Sequence, residues 1–245
     1  MRWPLLLLAV ALAAGLRAEE PPLKAGSNAG KELGEVQKLL DAGKSAEGAD
    51  KLRRLVEGSG DDLVTLDGQH FRPLARVAQS LVLNLPANEL RAWRDRIDPV
   101  ALKLLERGRA ERAPRPLRQL VERSLASTHA EDALILLADL ASERGDYASS
   151  ETYLRRLLPT VVTTDDPSVP NVQTPVATLR ARLALALIFQ GSPAAKAEVA
   201  EVRAKFPAAT GRLAGRDGVY ADTLESLLRE PPSTTVPAAA PVTGL

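Results

Sequence analysis

The chain has 245 residues, 45% of them hydrophobic and 26% charged, which is a globular composition rather than a disordered one. Aromatics are only 3%, and 41 Leu and 39 Ala stand against 3 Ile. Strands draw on branched and aromatic side chains and helices on Leu and Ala, so an all-β fold is excluded and an all-α one is expected. The 32 Lys and Arg against 31 Asp and Glu leave no basic excess for phosphates, which argues against nucleic acid as a partner. With no cysteine, a disulfide scaffold, thiolate metal sites, a Cys nucleophile and a lipidated Cys tether are excluded.

Residues 1–18 read as a secretory signal peptide. Arg2 forms a short basic start, an apolar stretch runs from Leu5 to Leu16, and Gly15 or Ala18 supplies the small residue at the exit. The apolar stretch is shorter than the roughly twenty residues a spanning helix needs. Without residues 1–18, 30 basic residues face 31 acidic ones. The mature chain is expected to be exported from a bacterium and to be periplasmic, envelope-associated or secreted. No membrane insertion is expected after cleavage. Residues 19–31 read as a flexible N-terminal segment.

From residue 32 to 230 apolar residues recur at helical spacing. A first hairpin spans 33–56 around Gly43. Stripes follow at Leu74, Val77, Leu81 and Leu85, then at Leu90, Trp93 and Ile97. Asp98-Pro99 predicts a helix start, and Gly108 a turn. The clearest stripe is Ala130, Ala133, Leu134, Leu137, Ala138 and Ala141, with Thr128 and Glu131 spaced as a capping box. Gly145 turns the chain toward Tyr153, Leu154 and Leu157. Residues 159–175, with Pro159, Pro167, Pro170, Pro175, Asp165 and Asp166, read as a long loop. Thr174-Pro175 and Ser192-Pro193 predict two more helix starts on either side of Leu179, Leu183, Leu187, Ile188 and Gly191. The last stripe is Val199, Val202 and Phe206. Residues 231–245, rich in Pro, Thr and Ala, read as a linker or tail.

Aligned on Gly145-Asp146-Tyr147, the segment 130–158 resembles a tetratricopeptide repeat, with Leu134, Leu137, Ala138 and Ala141 on its first helix and Tyr153, Leu154 and Leu157 on its second. Segment 180–207 repeats the pattern through Leu183, Ala184, Leu187, Gly191, Ala200 and Pro207. Residues 33–56 are a poorer copy. The turn glycines Gly43, Gly108, Gly145 and Gly191 lie 65, 37 and 46 residues apart rather than at a regular spacing of about 34, and Ser150 and Lys196 stand where the repeat prefers Ala. The expected fold class is therefore all-α, built of antiparallel helical hairpins of degenerate tetratricopeptide-like repeats, as an α-solenoid or a curled bundle.

A wider resemblance runs through Leu85-Pro86, Leu90 to Arg94, Leu104-Leu105, the 130–158 hairpin, Lys205-Phe206-Pro207, and Gly211-Arg212-Leu213 to Leu224. Together these are similar to the helical region that precedes a pyrroloquinoline-quinone-type β-propeller in exported bacterial proteins. In that family the propeller follows a Pro-rich linker like 231–245. This chain has no blade strands or Trp-ended repeats, so the resemblance implies fold and export, and none of a propeller's cofactor chemistry.

Residues that could carry catalysis are few. His70 and His129 are the only histidines, and no zinc spacing, serine elbow, phosphate loop or dinucleotide fingerprint occurs. Asp61, Asp62 and Asp67 lack the alternation and closing Glu of a calcium loop. They read as solvated turn carboxylates. Neither a cofactor nor catalysis is expected. Residues 86–123 carry ten Lys or Arg against six acids, interleaved as on a solvated face. Trp93, in line with Leu90 and Ile97, reads as core. The candidate partner surface is Arg91, Arg94, Arg107, Arg109 and Arg112. The expected function is a non-catalytic, exported helical module that binds a protein or peptide. The alternative is the helical part of a larger protein that docks a β-propeller, and a remote one is a helical glycan-active enzyme with paired carboxylates.

Overall fold

The computed structural model describes residues 27–60, 62–65, 71–158, 169 and 172–230. The expected signal peptide, the tail 231–245, His70, Asp61, Asp67, and Asp165 and Asp166 of the predicted loop lie outside the described residues. The described chain is mostly helical, with ten helices: α1 (Ser27–Asp41), α2 (Ser45–Ser59), α3 (Leu74–Leu83), α4 (Ala87–Glu111), α5 (Pro114–Arg123), α6 (Ala130–Glu143), α7 (Tyr147–Arg155), α8 (Val176–Gln190), α9 (Ala195–Lys205) and α10 (Tyr220–Arg229). No described helix is long and apolar enough to cross a membrane.

Two β-hairpins qualify the all-α expectation. Strands β1 (Leu63–Thr65) and β2 (Phe71–Pro73) pair antiparallel, as do β3 (Thr210–Leu213) and β4 (Arg216–Val219). Leu213 opposes Arg216, so Ala214 and Gly215 form a two-residue turn, at φ of 50° and 77°. Positive φ at both positions is the type I′ geometry that matches strand twist. Strands this short leave no mark on overall composition.

Burial divides the apolar residues into two clusters. The first joins Leu33, Val36, Leu52, Val64, Leu74 and Val82 from α1, α2, β1 and α3, with half-buried Leu90, Trp93 and Ile97 packed against it. The second joins Leu105, Leu117, Leu134, Leu137, Leu154, Leu179, Leu183 and Leu224, from α4 to α10. Each fully buried Leu contributes about 1.5–3 kcal/mol. Helix α4 serves both clusters, its first half facing one and Ala101 and Leu105 the other. Buried Gln79 on α3 ties the clusters together: its amide nitrogen donates to the Glu122 carbonyl and its oxygen accepts from Leu125 N–H at 3.0 Å.

Three local expectations need correction, and each has a tertiary cause. Asp98-Pro99 does not start a helix, because α4 runs through Pro99, which sits on its exposed side. The Asp98 carboxylate instead accepts from Ser127 Oγ (2.7 Å), Thr128 Oγ1 (2.8 Å) and Thr128 N–H (3.2 Å), pinning the α5–α6 connection. Gly108 is not a turn but a buried position inside α4, where a Cβ would lie 2.4 Å from Leu117 Cδ2, so its missing side chain lets α5 close on α4. The helix ends at Arg112, which takes the left-handed conformation. Thr128 and Glu131 form no capping box, since Thr128 is engaged by Asp98 and Glu131 reaches across to the chain entering α8.

The predicted hairpins are present as α1–α2, α6–α7 and α8–α9, turning at Gly43, Gly145 and Gly191 with φ of 74°, 74° and 69°. The second is capped by Asp146, whose carboxylate accepts from Ser149 N–H at 3.1 Å. In the third, buried Arg180 on α8 meets Glu198 at 2.9 Å and Glu201 at 3.1 Å on α9. A buried cation is tolerated only when paired in this way.

Candidate binding groove

The five arginines of the expected partner surface share one element, with Arg112 as its cap. Arg94 is half-buried, and its Nε donates to the Ala126 carbonyl at 2.8 Å, which holds α4 to the end of α5. The other four are exposed. Arg107 pairs with Glu111 at 2.9 Å on its own helix, Arg109 lies 3.7 Å from Asp132, and Arg112 pairs with Glu143 on α6. The bond to Glu143 pushes the Arg112 guanidinium above its ordinary range. These charges sit along the outside of a helix and are largely satisfied within the molecule.

A concave site lies elsewhere. Helices α6, α7 and α8 with strand β3 enclose an open cleft of about 540 Å³. Its floor is made by small residues: Ala138 on α6, Ser150 on α7 and Ala186 on α8, all buried. Where large side chains would fill the space between three helices, these leave it empty. Ser142 Oγ donates to Ser150 Oγ across the α6–α7 hairpin at 2.9 Å. The wall at the α8 side follows one helical face, Thr178, Arg182, Leu185 and Phe189. The Phe189 ring stacks on Tyr147, with centroids 5.1 Å apart and planes 15° from parallel, and both rings line the cleft.

Both carboxylates that line the groove, Asp139 and Glu143, are paired with arginines. Arg182 forms an ion pair with Asp139 on α6. Burial pushes its guanidinium below the ordinary range, with Tyr220 opposing that shift, yet an arginine remains a cation at any working pH. Glu143 is held by Arg112. Arg212 on β3 is exposed and stands opposite Asp217 of β4 across the hairpin.

The entry to α8 is fixed by Glu131, a nearly buried carboxylate on α6 that accepts from Gln173 N–H at 2.7 Å and Thr174 N–H at 2.6 Å. Burial pushes this carboxyl up, but the bonds from Gln173 and Thr174 outweigh it and hold it below the ordinary glutamate range. On the underside of β3, Tyr220 packs so close to Gly211 that a Cβ there would fall 2.1 Å from its hydroxyl. The Tyr220 hydroxyl also lies 3.3 Å from Thr178 Oγ1, which fixes β3 beside α8. A second cleft of about 390 Å³, between α3, α5 and α7, is lined by Arg76, Arg123 and Arg156, each already engaged in interactions. His129 stands at the N-terminus of α6 and lines neither cleft. Among the described residues no group of three or more His, Asp or Glu is placed to hold a metal ion.

Comparison with protein families, with curated proteins and with solved structures finds no match to this chain. Of the residues in the groove, the sequence reading reached Ala138, Tyr147 and Leu154 as hairpin packing, and passed over Asp139, Arg182, Phe189 and Arg212 as binding residues. The available signal was the mixed stripe Thr178, Arg182, Leu185 and Phe189, which runs beside the apolar stripe Leu179, Leu183 and Leu187 on the same helix.

Proposed function

We propose that the protein is a non-catalytic, exported helical-repeat module that binds a protein or peptide in the groove between α6, α7, α8 and β3. The observation that carries this reading is the groove itself. Its floor of small residues, its stacked rings and its lining of paired charges make a recess suited to side chains of a partner. Stacked helical hairpins generate such concave surfaces. The tetratricopeptide-like reading is supported by the three glycine-turned hairpins and by packing of each helix from α4 onward on the next, with α2 also on α4, α4 on α6 and α8 on α10. The acids of the groove are engaged by arginines and its serine hydroxyls bond each other, which supports reading it as a binding recess. Rings such as Tyr147 and Phe189 are typical anchors of interfaces.

The test is selection of random displayed peptides against the full chain, followed by binding to two variants. Ser142→Trp fills the groove from α6 and is expected to abolish binding of the selected peptides, with the thermal transition as the check on folding. Arg91→Ala/Arg107→Ala on α4 is expected to leave binding unchanged. The reverse pattern would refute the groove as the binding surface.

A further inference from the structure

We propose that α4 is a hinge bending at Pro99, about which the N-terminal helices swing to open and close the cleft between α3, α5 and α7. Pro99 stands where α4 passes from one core to the other. Ahead of it Leu90, Trp93 and Ile97 pack on the first core, and Arg96 pairs with Asp50 of α2 at 3.1 Å. Beyond it Ala101 and Leu105 enter the second core, and Arg112 pairs with Glu143 of α6. A proline has no N–H to give the Asp95 carbonyl one turn earlier, so the helix lacks a bond at this boundary. Sharp helix bends gather at such positions. The fold thus comprises two bodies: α1 to α3 with the first half of α4, and the second half of α4 with α5 to α10.

Three side chains of the first body grip one short stretch of the second, residues 122–128. Gln79 Nε2 donates to the Glu122 carbonyl, and Gln79 Oε1 accepts from Leu125 N–H at 3.0 Å. Arg94 Nε donates to the Ala126 carbonyl at 2.8 Å. The Asp98 carboxylate accepts from the hydroxyls of Ser127 at 2.7 Å and Thr128 at 2.8 Å. On opening, both partners of each bond meet water, so the net cost per bond is small and the three side chains act as a clasp. Leu125 is buried in the second core and its neighbour Ala126 in the first, which makes this stretch the pivot on which both cores close. The cleft of about 390 Å³ lies along the seam, with Ala75, Arg76 and Gln79 on one lip and Glu122, Arg123 and Tyr153 on the other. Bending at Pro99 changes its width, as hinge closure does around a ligand.

The chain has no cysteine, so pairs of spin labels can be placed on it one pair at a time. Ser80→Cys on α3 with Ala148→Cys on α7 spans the two bodies across the cleft, and Ala148→Cys with Lys196→Cys on α9 lies within the C-terminal body. All three positions are exposed. Distances are read by double electron–electron resonance on the full chain. Arg94→Ala/Asp98→Ala is expected to shift the spanning distance to longer values and broaden its distribution. Pro99→Ala restores the missing helix bond and is expected to narrow that distribution relative to the wild type. The pair within the C-terminal body should not change in either variant. A cooperative thermal transition shows that a variant is folded, and should the clasp variant not fold, the wild type against Pro99→Ala decides. A spanning distance unmoved by loss of the clasp, or equally wide in the wild type and Pro99→Ala, would overturn the hinge. Changes of the same size in the second pair would overturn the division into two bodies.

Discussion

Arginines stand both on the outer face of α4 and in the groove beside α6, yet they differ in what surrounds the charge. On α4, Arg107, Arg109 and Arg112 stand on a convex surface and face Glu111, Asp132 and Glu143. In the groove, Arg182 is half-buried over a floor of Ala138, Ser150 and Ala186, and Arg212 closes the edge opposite Asp217 of β4. Exposed ion pairs contribute little energy and little specificity. A recess does both, because an occupant there exchanges water for shaped contact. A run of charge in a sequence therefore marks a face, while small residues at converging helical positions mark a site.

That comparison breaks most easily through the packing that shapes the groove. Leu154 on α7 is 1% exposed and belongs both to the C-terminal core and to the groove wall. Leu154→Ala is expected to cost about 2–5 kcal/mol in denaturant unfolding and to weaken peptide binding with it. A loss under about 1 kcal/mol would show that α7 is not seated as described. Next in size, Gly108→Val forces a side chain into Leu117 and is expected to destabilise by about 1–3 kcal/mol. Gly34→Ala, on the exposed side of α1 with open space around it, should instead stabilise by about 0.5–1 kcal/mol.

Glu131 sharpens the comparison through pH. Its carboxyl is held below the ordinary value of 4.5 in the folded chain, so its contribution is complete above that value and is lost as pH falls through the folded pKa. Acid titration of stability should therefore show a smaller drop below about pH 4.5 in Glu131→Gln than in the wild type. The substitution itself should cost about 1–2 kcal/mol at neutral pH, because two N–H groups entering α8 lose a charged acceptor. An acid limb identical in the two proteins would count against the role assigned to Glu131. The smallest effect belongs to the α4 face: Arg91→Ala/Arg107→Ala should change stability by no more than about 0.5 kcal/mol. A larger change would mean that this face is engaged in a way its exposure does not suggest.

Much of the helical framework was legible in the sequence because Leu and Ala recur at a period that only a helix buries on one side. The hairpins around Gly43, Gly145 and Gly191 stand where those glycines place them. What escaped was set by contacts distant in sequence. Pro99 reads as a start, but its ring lies on the solvent side of α4 and Asp98 serves a segment about thirty residues later. Gly108 reads as a turn, and its role appears only when Leu117 is laid against it. The β3–β4 hairpin hangs on the two-residue turn at Ala214-Gly215, inside a stretch with no apolar alternation to announce it. The groove was the least legible feature, since Ala138, Ser150, Ala186 and Arg212 each look unremarkable alone and gain meaning only where α6, α7, α8 and β3 meet.

The most direct test of the claim that binding belongs to the groove rather than to the α4 arginines is amide hydrogen exchange on the full chain, with and without a selected peptide. Added protection is predicted in α6, in α8 and in β3, with the exchange of α4 unchanged. Protection concentrated along α4, with α8 and β3 unaltered, would contradict it.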